Sequence, residues 1–298
     1  MMSPGKQTEQ KISAIIDANI AAFTNGPLGV WTDTDFERSV ERSYLKGLSA
    51  TYHRTVRDLL ALKSHLPKAP KVIEFGSYLG VVSCSLSQLG YDMTASDLPQ
   101  VMQNTGLQAR FANAGVKMAP IDLQMPFSSL PDGQFDLAIM CETLEHLNFN
   151  PVPVIAEVNR ILKPGGIFYI SLPNIANIGN RLRLLLGKSV HNPIGDFFDQ
   201  LNPDSAMTVG LHWREYTMSE LYELLDGTGF SVISSRHDHV ATSTPGLKRL
   251  LKSALVSLHP SLKANVTAIA RKSSSFAEAS KKAKGGTMER AAAAGQFS

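Results

Sequence analysis

Cysteine is almost missing. Cys84 and Cys141 are the only two in 298 residues, too few for a disulfide framework or a cysteine-rich zinc site. Long apolar runs are missing as well. None approaches the roughly 20 residues that would span a bilayer. The first ten residues, Met1 to Gln10, lack the basic-then-apolar build of a secretion signal. These absences predict a soluble, cytoplasmic protein. A large charge imbalance is also lacking: the net charge is +3, and it is unevenly placed. Residues 271–298 carry six basic and two acidic side chains, and residues 247–263 carry four basic and no acidic ones, so the rest is acidic by five charges. Without a basic face spread across the fold, nucleic acid is not an expected partner.

What the chain does contain is alternation. Ile12, Ile15, Ile16, Ile20 and Phe23 keep helical spacing before Asn25-Gly26-Pro27 breaks the pattern. A second helical pattern runs from about Asp35 to Leu66, so residues 1–66 are expected to form a helical extension on the lid or substrate side. From Lys71, short apolar runs at Val72–Phe75, Asp92–Ser96, Lys117–Ile121, Phe135–Met140 and Ile167–Leu172 alternate with helical stretches. The stretches run from Val82 to Leu89, from about Gln100 to Ala114, and from Ile155 to Leu162. Such alternation predicts an α/β, doubly wound, mainly parallel sheet with right-handed crossovers. A helix over Met218–Leu225 precedes two late strands, Phe230–Ser234 and Asn265–Ala270, which could pair antiparallel. The main domain is expected over 67–270, with insertions at 174–212 and 241–263, the second carrying a helix over Leu247–Leu258. Residues 271–298 lack periodicity and read as a disordered tail.

Ligands of open parallel sheets bind at the carboxyl ends of the strands. The first such end is Glu74-Phe75-Gly76-Ser77-Tyr78-Leu79-Gly80. A dinucleotide fingerprint needs glycine at 76, 78 and 81, where this chain has Gly76, Tyr78 and Val81, which disfavours a nicotinamide-dependent oxidoreductase. An acid two residues before Gly76, with Gly80 four after it, instead resembles the first motif of class I S-adenosylmethionine-dependent methyltransferases. Their usual pattern, D/E-x-G-x-G-x-G, has glycine where Tyr78 stands. Asp97 lies 23 residues after Glu74, where that family places an acid on the ribose hydroxyls, and Asp122-Leu123 ends the third strand, where it binds adenine. Phe135–Ile139 and Leu162-Lys163-Pro164-Gly165-Gly166 match two further family segments. The resemblance covers Lys71 to Leu172. It implies a Rossmann-like, seven-stranded sheet with an antiparallel last strand, and S-adenosylmethionine held by Glu74, Gly76, Ser77, Tyr78, Gly80, Asp97, Leu98, Asp122, Leu123 and Cys141.

A hydroxyl acceptor must lose its proton to a base or with help from a metal. Cys141-Glu142-Thr143-Leu144-Glu145-His146 supplies such groups, and a helix starting here would put Glu142, Glu145 and His146 on one face. Three readings stay open. The acids favour a helix N-terminus and the histidine is structural; or His146 or Glu142 is a general base; or Glu142, Glu145, His146 and the later His212 bind a divalent metal. The last resembles ubiquinone-pathway O-methyltransferases and small-RNA 2′-O-methyltransferases. The metal-free reading is preferred, because His212-Trp213-Arg214-Glu215-Tyr216 also resembles family members with no evident metal. The leading expectation is O-methylation of a small-molecule, glycan or lipid-linked acceptor; a non-catalytic cofactor-binding module is the alternative of a different class, motivated by Tyr78. Arg181–Leu186 and Leu247–Leu258 mix leucines with basic residues, so peripheral membrane contact joins the expectations.

Overall fold

A computed structural model describes residues 4–24, 35–199, 211–238 and 256–281; within the first two helices, side chains are described over 7–22 and from 47 onward. Helices α1 (Pro4–Thr24) and α2 (Asp35–Ala61) lead into the alternating part. There follow β1 (Lys71–Phe75), α3 (Val81–Gln88), β2 (Asp92–Asp97), α4 (Pro99–Met102), α5 (Thr105–Asn113), β3 (Lys117–Pro120) and β4 (Phe135–Cys141). Then come α6 (Val152–Ile161), β5 (Leu162–Pro173), α7 (Ile178–Leu185), α8 (Ile194–Asp199), α9 (Met218–Gly227), β6 (Phe230–Asp238) and β7 (Asn265–Lys272). The seven strands form one sheet in the order β3-β2-β1-β4-β5-β7-β6. β1 to β5 are parallel, and β7 runs antiparallel to both of its neighbours. This is the α/β, doubly wound, seven-stranded arrangement that the sequence leads one to expect.

The central strands are apolar because both of their faces are covered. Phe135 to Met140 is buried throughout. Asp136, the one charge in that run, accepts the Lys71 N–H at 2.9 Å and pairs with Lys163 Nζ at 2.6 Å. On one face, Ile16, Ile20, Val56 and Leu59 of α1 and α2 join Leu86, Phe111, Leu137 and Tyr169. On the other, α6 and α9 bring Val154, Ile155, Val158, Leu221 and Leu225 against Phe75, Phe168 and Phe230. The N-terminal helices thus complete one apolar layer of the sheet. Each fully buried residue of this size contributes roughly 1.5–3 kcal/mol.

Some boundaries differ from the sequence expectation, for local reasons. The helix expected over 100–114 is split, because the Asn104 side chain accepts the Leu107 N–H and starts α5 afresh. No α-helix begins directly at the end of β4. Glu142 takes a left-handed φ of 50°, and only a 3₁₀ turn, Leu144–His146, comes after it. Glu142 therefore does not share a helix face with Glu145 and His146. β7 continues through Lys272, and residues 276–281 are helical, so residues 271–281 do not fit the disordered tail expected from 271. Lys272 Nζ is held by the carbonyls of Asn159 and Leu162, and Asn159 Nδ2 binds the Ser274 carbonyl. Most of the helix expected at 247–258, and residues 282–298, lie outside the described residues. Among the described residues, no helix is long and apolar enough to cross a membrane.

Candidate active site

The loop after β1 is shaped by glycine at two positions. Gly76 (φ 65°) presses on the turn after β4, where an added Cβ would lie 2.2 Å from Thr143 Oγ1. Gly80 (φ 72°) faces Phe111, whose ring would lie 2.1 Å from a Cβ. Tyr78 sits between them at φ 45°, a conformation that costs a non-glycine residue roughly 1–2 kcal/mol. Asp97 stabilises it: Oδ2 accepts the Tyr78 N–H at 2.7 Å, and Oδ1 accepts the Leu98 N–H at 2.8 Å. The Ser77 N–H binds the Ser96 carbonyl at 3.0 Å. The loop is thereby tied to the end of β2, so Tyr78 adopts the backbone that a glycine would have supplied.

Glu74 is buried beneath this loop and accepts the Ser83 hydroxyl, joining β1 to the first turn of α3. Burial pushes its carboxyl up to about 8. Burial also raises Asp97, although its two backbone hydrogen bonds oppose the shift. Asp122 Oδ1 accepts the Gln124 N–H at 2.9 Å, and Leu123 packs on the second apolar layer. The Ser77 and Ser96 hydroxyls are buried and have no hydrogen-bond partner among the described residues. Carboxylate lone pairs, orphaned hydroxyls and a loop closed to added Cβ atoms suit a polar nucleoside at the carboxyl edge of β1 and β2.

Across Gly76 and Thr143 lies the turn after β4. Cys141 and Glu142 are half-buried there; burial raises the Cys141 thiol, and the Cys141 carbonyl accepts the Thr143 hydroxyl at 2.9 Å. Glu142 Oε1 accepts Asn265 Nδ2 at 2.7 Å; burial raises its carboxyl, with Arg54 and His212 opposing. Glu145 is wholly buried, and neither of its carboxylate oxygens has a hydrogen-bond partner among the described residues. Burial, then Glu142, push it well above the usual carboxylate range. Glu145, His146 and His212 bring one ligand atom each within 4.8 Å of one another.

The two imidazoles meet edge to face, with centroids 4.9 Å apart. His146 Nδ1 lies 3.0 Å from the Leu211 carbonyl, which assigns the proton to Nδ1 and leaves a lone pair on Nε2. Burial, then His212, lower its pKa to about 4. His212 Nδ1 lies 2.9 Å from Glu215 Oε1, so a carboxylate orients the second ring. The Trp213 N–H reaches back to the Glu145 carbonyl at 2.7 Å and fastens this segment to the turn.

The structure therefore gathers the expected residues into two adjoining groups. Glu74, Gly76, Ser77, Tyr78, Gly80, Asp97 and Leu98 belong to the β1–β2 edge. Glu142, Glu145, His146 and His212 lie beside β4, with Glu142 outside the three-residue cluster. Glu215 and Arg54 were missed. Glu215 had a signal in its i+3 spacing from His212, whereas Arg54, in a helix far along the chain, had none.

Residues 44–235 match the family model described as a methyltransferase domain. A Mycolicibacterium smegmatis protein assigned to the S-adenosylmethionine-dependent methyltransferases is 30% identical over 103 residues, 35% of this chain and 31% of that protein. The ubiquinone biosynthesis O-methyltransferase of Pseudomonas aeruginosa is 30% identical over 105 residues, 35% of this chain and 44% of that protein. The chain thus spans less than half the length of either relative. Among solved structures, a chain from the Haloferax volcanii complex of the Trm112 methyltransferase activator with a methyltransferase gives a TM-score of 0.53 at 16% identity. It covers 77% of this chain and 93% of that one. A methyltransferase-fold protein of Bacillus halodurans gives 0.50 at 16% identity, covering 74% and 99%. At these identities the structural likeness bears on the fold alone.

Proposed function

The chain belongs to the methyltransferase-domain family, and from that premise we propose that it is an S-adenosylmethionine-dependent O-methyltransferase acting on a small-molecule, glycan or lipid-linked acceptor. The observation that carries this reading is the abutment of the two groups through Gly76 and Thr143. Gly76 of the proposed cofactor edge abuts Thr143, in the turn that leads to His146 and its ring neighbour His212. Asp97 would take the ribose hydroxyls, Ser77 and the Tyr78 loop the remaining polar atoms, and Asp122 with Leu123 the adenine. Glu74 braces the loop from below through Ser83. S-adenosylmethionine, when bound, supplies an electrophilic methyl group on its sulfonium.

The protein's own task is then to hold an acceptor hydroxyl in line and remove its proton. That role is assigned to His212. Glu215 orients its ring and stabilises the imidazolium that forms on Nε2. His146, lowered to about 4, is a weak proton acceptor and serves to position the site. This reverses the order in which the sequence ranks the two histidines.

A second reading follows from the unpartnered carboxylate of Glu145. Together with Nε2 of His146 and of His212, it could hold a divalent cation, and carboxylate with imidazole is a suitable donor set. Such an ion would lower the pKa of the acceptor hydroxyl. Glu142 is left out of this cluster.

Support for membrane contact is limited to the surface of the 174–199 insertion. Leu184, Leu185 and Leu186 are 60–81% exposed beside Arg183 and Lys188. The main reading is tested by calorimetry with S-adenosylmethionine and with NAD. One-to-one binding of the first and none of the second is expected. The reverse would put the oxidoreductase alternative in its place.

A further inference from the structure

Arg54 and Asp58 lie one turn apart on α2 and share a helix face. Asp58 fixes where that face rests: its Oδ2 accepts the Tyr169 hydroxyl at 2.7 Å and pairs with Arg236. Two residues further toward the carboxyl edge of the sheet from Tyr169 and Arg236 stand Ser171 and Asp238. At that edge Asp238 is in register with Asn265, and Asn265 with Pro173. One helical turn from Asp58, Arg54 reaches the same edge, with its Nε 3.7 Å from Asp238 Oδ2.

That approach is too long for a hydrogen bond. Asp238 is moreover engaged elsewhere, through Thr267 Oγ1 on Oδ2 and Arg236 Nε on Oδ1 at 2.8 Å. Nε and Nη2 of Arg54 are both buried and have no hydrogen-bond partner among the described residues. Buried guanidinium N–H groups are rarely left without acceptors, because their lost hydration is not replaced. The side chain is 19% exposed, and since Nε and Nη2 are closed to solvent that exposure lies on the rest of the side chain, from which a ligand would approach. Beside it, Glu142 is held by Asn265 Nδ2 and feels the charge of Arg54.

The surrounding charges limit what can bind. Two cations, Arg54 and Arg236, stand among three carboxyl groups, Asp58, Asp238 and Glu142. An anionic ligand would meet Glu142 and Asp238, whereas a hydroxyl can accept from the guanidinium and donate to a carboxylate. We propose that Arg54 and Glu142 form the acceptor subsite and that it takes neutral vicinal hydroxyls, such as a sugar ring presents. The proposal rests on the methyl-transfer reading and names its acceptor chemistry. Arg54 is a specificity residue in this assignment, not a catalytic one.

Saturation-transfer NMR on the full chain loaded with S-adenosylhomocysteine tests it. The probes are D-mannose, L-rhamnose, D-glucuronate and octyl mannoside. The neutral sugars should bind the wild type and weaken about tenfold or more in Arg54→Gln, the loss of a charged hydrogen bond. Arg54→Lys should retain part of the binding, and both variants should keep the wild-type affinity for S-adenosylhomocysteine, which reports an intact fold. Octyl mannoside should behave like mannose, which places recognition in the ring whether the sugar is free or lipid-linked. Unchanged sugar affinity in Arg54→Gln would overturn the assignment. So would tighter binding of glucuronate, octyl mannoside whose binding survives Arg54→Gln, or no sugar binding at all. A wild type that fails to bind S-adenosylhomocysteine would instead remove the methyl-transfer reading, and this proposal with it.

Discussion

Replacing Asp97 by alanine disturbs the proposed cofactor edge at two backbone contacts at once. Its carboxylate accepts two backbone N–H groups, from Tyr78 at 2.7 Å and Leu98 at 2.8 Å. Hydrogen bonds to a charged group contribute roughly 1.5–3 kcal/mol each. Without them, Tyr78 loses the contact that offsets its left-handed backbone, roughly 1–2 kcal/mol of strain. Part of this loss is recovered, because burial raises the Asp97 carboxyl and a half-desolvated charge is removed with the side chain. Those losses lower the stability of the loop; the affinity falls through the ribose hydroxyls that Asp97 would hold in the proposed complex, by about 2–3 kcal/mol, some thirty- to more than a hundredfold in Kd. Titration calorimetry with S-adenosylmethionine measures it, with thermal unfolding followed in parallel. Asp97→Asn keeps one acceptor oxygen and should lose less. Binding within twofold of wild type in Asp97→Ala would refute the placement of the ribose and the use of this edge.

The remaining predictions concern protons and metals. His212→Ala should lower turnover about a hundredfold while cofactor affinity is kept, and Glu215→Gln about tenfold; near-normal rates in both would leave the reaction without its base. Treatment with EDTA should leave turnover within about twofold, because the base reading needs no ion. Inactivation by EDTA, reversal by a divalent cation and loss of activity in Glu145→Ala would establish the metal reading instead. The fourth prediction is a pH profile of stability. Glu74 is raised in the fold from 4.5 to about 8, so the folded chain holds its proton more tightly than the unfolded one. Its contribution is complete below about pH 4.5 and is lost as pH rises toward 8, by at most about 1.4 kcal/mol per pH unit. Urea unfolding across that window should show a flatter decline in Glu74→Gln, and parallel curves would contradict the buried, protonated assignment.

The parts of this protein that could be read from its sequence are those governed by local periodicity. Phe135–Met140 announces a strand covered on both faces, and Gly76 and Gly80 announce a tight loop. The spacing from Glu74 to Asp97 anticipates two strand ends that the fold does bring together. The turn after β4 could not be read in this way. Glu142, Glu145 and His146 have helical spacing, but Glu142 adopts a left-handed backbone as the chain leaves the sheet, and its side chain departs toward Asn265. Asn265 is 123 residues away, and no local pattern foretells that contact. Arg54 is hidden for the same reason. Its surroundings come from β6 and β7, which reach it only through the docking of α2 on Tyr169 and Arg236. The proposal places the base at His212 rather than His146 because His146 is buried and Glu215 orients the His212 ring, neither of which spacing conveys.

The central claim is that the chain moves a methyl group from S-adenosylmethionine to a hydroxyl. The most direct measurement incubates it with methyl-labelled S-adenosylmethionine and a fractionated cell extract, following S-adenosylhomocysteine and the labelled product together. The account predicts equal amounts of the two, a label bound through an ether oxygen, and loss of both in His212→Ala. Cofactor that binds tightly yet yields neither S-adenosylhomocysteine nor labelled product with any fraction would contradict it and leave a binding module in place of an enzyme.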